Sequence, residues 1–142
     1  MNKAEFAIVV ILRTLGIGGL LAIPAVLLPF EWMNEIHQYM GLGVLPDVAI
    51  TRYLARSLSA FYAMFGSMTL FMSFDIWSYR RLIRLWAFLF LAFGCVILCV
   101  DLNAGMPASW TLSEGPPSIV VGIVALRLQR FISDGRPDPP QD

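Results

Sequence analysis

The sequence predicts an all-α, polytopic membrane protein. The expected architecture is a bundle of four transmembrane helices, with a short amphipathic interfacial helix between spans one and two. Three observations predict it. The 142-residue chain is 58% hydrophobic and 14% charged, where a soluble domain is nearer half apolar and a quarter charged. Its mean hydropathy of +0.71 leaves too little polar side chain to coat a soluble domain, so the bilayer is the better solvent. Apolar runs long enough to cross a hydrocarbon core recur along the chain, and lysine and arginine gather at alternate turns.

The first run, "MNKAEFAIVVILRTLGIGGLLAIPAVLLPF", is longer than the apolar region of a signal peptide, carries Arg13 and lacks an A-x-A cleavage pattern. It reads as a retained span from about Phe6 to Phe30, kinked at Pro24, which membrane helices tolerate. In "EWMNEIHQYMGLGVLPD", Trp32, Ile36, Tyr39 and Met40 share one helical face, while Glu31, Asn34, Glu35 and Gln38 are polar. This is the expected surface helix, ended by the Gly41 and Gly43 turn.

Span two is expected from Val48 to Phe74, with Asp47 as its N-cap. Span three is expected from Leu82 to Leu102. "NAGMPASWTLSEG" reads as a loop, and span four as Pro116 to Ile132, because paired prolines suit the first helical turn. Residues 1–132 form one expected domain, and 133–142, rich in proline and aspartate, an expected flexible cytoplasmic tail.

Basic residues orient the bundle. Lys3, Arg80, Arg81, Arg84, Arg127, Arg130 and Arg136 fall on one side, and only Arg52 and Arg56 on the other. Both termini are therefore expected in the cytoplasm. Trp32 and Trp110 would mark the outer interface, Trp77 and Trp86 the inner one.

Charges within spans are costly and point to protein, water or function. Arg52 and Arg56 lie one turn apart on span two and repel unless anions intervene. Asp101, ending span three, and Glu114, just before span four, are the expected counterions, with His37 closing the cluster. That cluster is either a structural ion-pair network or a polar pocket. Arg13 is expected to pair with Asp75 near the inner side. Ala55, Ser59, Ala63 and Ser67 repeat every fourth position, a pattern of close helix contact. Gly16, Gly18, Gly19 and Ala22 offer an opposing surface. This repeat suggests that the arginine face turns toward other helices. Cys95 and Cys99 read as small packing residues, since i, i+4 helix geometry does not favour a disulfide between them.

The sequence has no P-loop, no dinucleotide-binding glycine motif, no G-x-S-x-G and no H-E-x-x-H. With one histidine, bis-histidine haem ligation within one chain is excluded. No catalytic residue, cofactor or metal is expected, and zero net charge gives no attraction to nucleic acid.

The stretches "YLARSLSAFYAMFGSMTLFMSFD", "YRRLIRLWAFLFLAFG" and "DLNAGMPASWTLSEGPP" resemble small four-helix bacterial membrane proteins of the broad DoxX-like grouping. The resemblance implies an inner-membrane bundle and assigns no functional residue. Two functional expectations follow. One is a structural or accessory subunit of a membrane assembly, with other subunits or further copies of itself as partners beside the lipid bilayer. The alternative is a binding protein or enzyme for a small or lipidic molecule, held near the outer leaflet by Arg52, Arg56, Asp101 and Glu114. A transporter or channel is a weaker third expectation, because the middles of spans two and three are apolar.

Overall fold

A computed structural model describes residues 1–132; the expected tail, 133–142, lies outside them. The described chain is all-helical. Its elements are α1 (Lys3–Leu20), α2 (Ile23–Leu27), α3 (Phe30–Tyr39), α4 (Ala49–Met72), α5 (Arg80–Ala104) and α6 (Ala108–Leu128), followed by a 3₁₀ turn (Gln129–Phe131).

Two stretches, Lys3–Leu27 and Arg80–Ala104, are long and apolar enough to cross a membrane. Only 17% and 22% of their most apolar windows are buried inside the protein, so neither resembles the core helix of a soluble domain. Phe88, Val96 and Val100 of α5 and Phe6, Val10 and Ile17 of α1 all face outward.

Helix α1 begins with a reciprocal cap. The Asn2 side-chain oxygen accepts from the Glu5 N–H at 2.9 Å, and Glu5 Oε2 accepts from the Asn2 N–H at 2.7 Å, which satisfies two donors that a helix start leaves open. The expected kink at Pro24 is a full break: α1 stops at Leu20, and α2 restarts with the proline in its first turn.

Helix α1 runs antiparallel to α4, and α5 antiparallel to α6. Each pair is drawn together by glycine. A Cβ on Gly19 would stand 2.7 Å from Gly66 Cα, and one on Gly16 would stand 2.7 Å from Leu70 N. In the second pair a Cβ on Gly94 would meet Ile119 N at 2.8 Å, and one on Gly122 would meet Leu91 N at 2.7 Å. Gly16 and Gly19 thus take their expected part, whereas Gly18 faces open space. Of the predicted α4 repeat, Ala63 is buried, Ala55 and Ser59 are half-buried and Ser67 is exposed. The buried stripe is shifted to Ala63, Gly66, Thr69 and Met72.

The two pairs share a buried core at one end. There Ile8, Leu12, Met72, Ile76, Ile83, Trp86, Ala87, Ala125 and Ile132 form the core. Several of its polar groups have partners. Trp77 Nε1 donates to Glu5 Oε1 at 3.3 Å, and Trp86 Nε1 to Thr69 Oγ1 at 3.1 Å. With its amide turned so that both atoms are satisfied, the Gln129 nitrogen donates to the Arg80 carbonyl and its oxygen accepts from the Arg84 N–H, each at 3.2 Å. Asn2 Nδ2 ties the first helix to the last turn through the Phe131 carbonyl at 2.9 Å. Trp86 is therefore a core residue rather than an interfacial marker.

The expected loop before span four is largely helical. Helix α5 continues to Ala104, Gly105 ends it in the left-handed conformation at φ 67°, and α6 starts at Ala108 behind Pro107. Pro116 and Pro117 lie inside α6. They deprive the Leu112 and Ser113 carbonyls of intrahelical donors, but close packing of Gly115 on Leu98 carries the helix through. Cys95 and Cys99 are free and face outward, not into a helix contact within the chain.

A candidate lipid groove and an arginine patch

Away from the core end, the helix pairs separate. The space between them is a groove of about 580 Å³. Gly18 and Gly19 of α1, with Ala22 just before α2, form one wall, shallow because two of the three residues lack side chains. Phe61 and Phe65 of α4 and Leu89, Phe90 and Phe93 of α5 supply the apolar surface. Phe65 and Phe90 stack across it with ring centroids 6.3 Å apart and planes 9° from parallel. Phe90 also stacks on Trp86 at 5.0 Å, so the groove's inner limit is the edge of the core.

Glu114 and Tyr62 bring polarity to this apolar lining. The Tyr62 hydroxyl donates to Glu114 Oε1 at 3.5 Å, a distance long for an O–H···O bond. Glu114 is half-buried. Because α6 starts at Ala108, Glu114 does not precede the helix as expected; it lies roughly 9 Å along it. The other groove hydroxyls serve the helices: Thr69 Oγ1 donates to the Phe65 carbonyl at 2.9 Å, and Ser118 Oγ to the Glu114 carbonyl at 2.8 Å.

The predicted charge cluster divides into separate places. Arg52 pairs with Asp47 at 2.6 Å and stands over the Phe30 ring, 5.5 Å from its centroid. Asp47 is thus the counterion rather than a side-chain cap, and α4 has no side-chain cap. Arg56 is exposed and, among the described residues, forms no ion pair. Neither Asp101 nor Glu114 reaches either arginine. Asp101 is 5% exposed on α5, and its Oδ2 has no hydrogen-bond partner among the described residues. His37 joins none of them: its Nδ1 lies 2.8 Å from the Gly43 carbonyl. Along with the Asn34 side-chain oxygen accepting from the Leu45 N–H at 2.8 Å, this contact folds the α3–α4 connection. The arginine face does not turn toward other helices. The physical reason is rotation: Gly66 and Leu70 pack on α1, and two flexible guanidinium groups near a helix end reach solvent more cheaply than a protein interior.

Arg13 and Asp75 also go separate ways. Arg13 lies 6.0 Å from the centroid of the Phe74 ring. The Asp75 carboxylate accepts from the Ser78 N–H at 3.1 Å and the Ser78 hydroxyl at 2.9 Å, shaping the turn between α4 and α5. Among the described residues no three His, Cys, Asp or Glu side chains gather as a metal site would require.

Sequence reasoning missed Tyr62 and the phenylalanine lining. The available signal was that Glu114 and Tyr62 each interrupt an otherwise apolar or small-residue helix face. No family model matches the chain, nor does any curated protein or solved structure.

Proposed function

We propose that the chain is a four-span protein of a bacterial inner membrane whose groove binds a single apolar chain, acyl or prenyl, with a hydrogen-bonding head at Tyr62 and Glu114. The observation that carries this reading is the Glu114 carboxylate. It sits well inside α6 on an apolar groove, with one long contact to a tyrosine. An ionisable group at such a depth is costly without a partner or a task. A few polar groups on an apolar cleft of several hundred Å³ are what small-molecule sites have in common.

The four-span reading is supported by length, since α4 has 24 residues and α6 has 21, enough for roughly 30 Å of hydrocarbon. The surface-helix reading is supported by α3, none of whose residues is buried. Lys3, Arg80, Arg81, Arg84, Arg127 and Arg130 cluster at the core end, which favours a cytoplasmic core end.

Gly18 provides the test. A Cβ there would meet nothing within 4 Å, so Gly18→Leu is expected to extend into the groove without straining the helix backbone. Thermal stabilisation by added long-chain fatty acid or isoprenoid alcohol is expected for the natural chain, and its loss in Gly18→Leu and Glu114→Gln. Equal stabilisation of all three proteins would exclude the groove as the site.

The second reading, a structural or accessory subunit, draws on the outward-facing small residues Ala92, Cys95 and Cys99 of α5, which suit close approach of another membrane helix. Oxidative cross-linking through Cys95 into one discrete product would favour it.

A further inference from the structure

We propose that Arg52 and Arg56 form a second site, separate from the groove, that holds the phosphate of a membrane phospholipid. Arg52, Tyr53, Arg56 and Ser57 line a shallow concavity with Ala49 on the first turns of α4. At roughly 100° per residue, Arg52 and Phe65 are about 140° apart around the helix, so the patch and the groove occupy different sides of α4.

The two guanidinium groups are unequal. Arg52 has a carboxylate partner in Asp47 and an aromatic neighbour in Phe30, which fix its position. Arg56 lies roughly 10 Å from the helix start, below that pair, and has no ion-pair partner among the described residues. Two cations one turn apart carry a mutual repulsion that one shared anion relieves, and Asp47 is engaged above. A planar guanidinium binds phosphate oxygens in paired hydrogen bonds. At this depth in a bilayer the abundant anion is the headgroup phosphate. The Tyr53 side chain, 66% exposed beside the arginines, adds an amphipathic surface of the kind that settles at the headgroup level. Ser57 is less free, because its hydroxyl donates to the Tyr53 carbonyl.

The inference requires the chain to be in a membrane but does not require the groove to be occupied. Purified protein would be incubated with phosphatidylglycerol in detergent, and retained lipid counted by native mass spectrometry. Arg56→Gln is expected to retain at least fivefold less phosphatidylglycerol than the natural chain, and Arg52→Gln/Arg56→Gln less again, with thermal midpoints unchanged because both side chains are exposed. Competition with inorganic phosphate separates the sources: a lipid site keeps its phosphatidylglycerol against millimolar phosphate. Unchanged retention in the double variant, or ready displacement by inorganic phosphate, would overturn the proposal. Fatty-acid stabilisation through the groove is a separate readout, so loss of one site is distinguishable from loss of the other.

Discussion

The two ends of this bundle are built differently. At the core end, the chain terminus, the α4–α5 turn and the closing 3₁₀ turn converge, and buried polar side chains such as Glu5, Thr69 and Gln129 each have partners. At the other end the helix pairs separate, an apolar groove opens, and the Glu114 carboxylate and the Arg56 guanidinium lack close protein partners. A single bonded end holds four helices in register and leaves the opposite end free to offer surface to a ligand. Buried polar networks are costly when half satisfied, which suits the bonded groups of the core end; at the other end Asp101 is also buried, with one carboxylate oxygen unpartnered among the described residues.

The largest expected effect comes from breaking the core end. Trp86→Ala removes the ring that stacks on Phe90 and bonds Thr69. It should cost about 3–5 kcal/mol, read as a shift in the detergent-unfolding midpoint. Phe93→Ala, on the groove and 39% exposed, should cost well under half as much. Comparable losses from both would erase the distinction between the ends.

Adjacent glycines sharpen the contrast. Gly19→Ala forces a Cβ to within 2.8 Å of the Tyr62 carbonyl, which backbone cannot yield cheaply, and should destabilise by about 1–3 kcal/mol. Gly18→Ala meets open space and should stabilise by up to about 1 kcal/mol through helix propensity alone. The sign of the two thermal shifts is the check.

A smaller effect is expected at the α5–α6 turn. Gly105 has φ 67°, where an L side chain costs about 1–2 kcal/mol, so Gly105→Ala should lower the midpoint by that modest amount. Smallest of all is Tyr62→Phe, within about 0.5 kcal/mol, because the hydroxyl's partner among the described residues is 3.5 Å away. Its effect should instead appear in fatty-acid stabilisation.

Much of the helical outline was legible in the sequence. Apolar run length placed α4 and α5 within a few residues of their ends and α1 within a few residues of its start, though α1 stops at Leu20 and not at Phe30; the glycines of α1 announced a close contact. The start of α6 was not legible. Pro116-Pro117 is a strong local sign of a helix start, and it was overridden by packing of Gly115 and Gly122 against α5. The spacing of Gly115, Ser118, Gly122 and Ala125, all buried, was the sign available for that packing. The candidate site was less legible still. Opposite charges on three helices suggested mutual pairing, but which side of each helix faced inward depended on a rotation that composition does not specify. Asp47, adjacent in sequence, reached Arg52 first. The groove depends on where two helix pairs diverge, a property of the assembled fold that no single segment encodes.

The central claim is that the open end holds an apolar chain between the helix pairs. Photolabelling in nanodiscs with a diazirine-bearing fatty acid, followed by peptide mapping, tests it most directly. The account predicts adducts concentrated on Phe61, Phe65, Leu89 and Phe93, and competed away by unlabelled fatty acid. Adducts spread over the outward faces at Phe88, Val96 and Val100, with no enrichment in the groove and no competition, would contradict it.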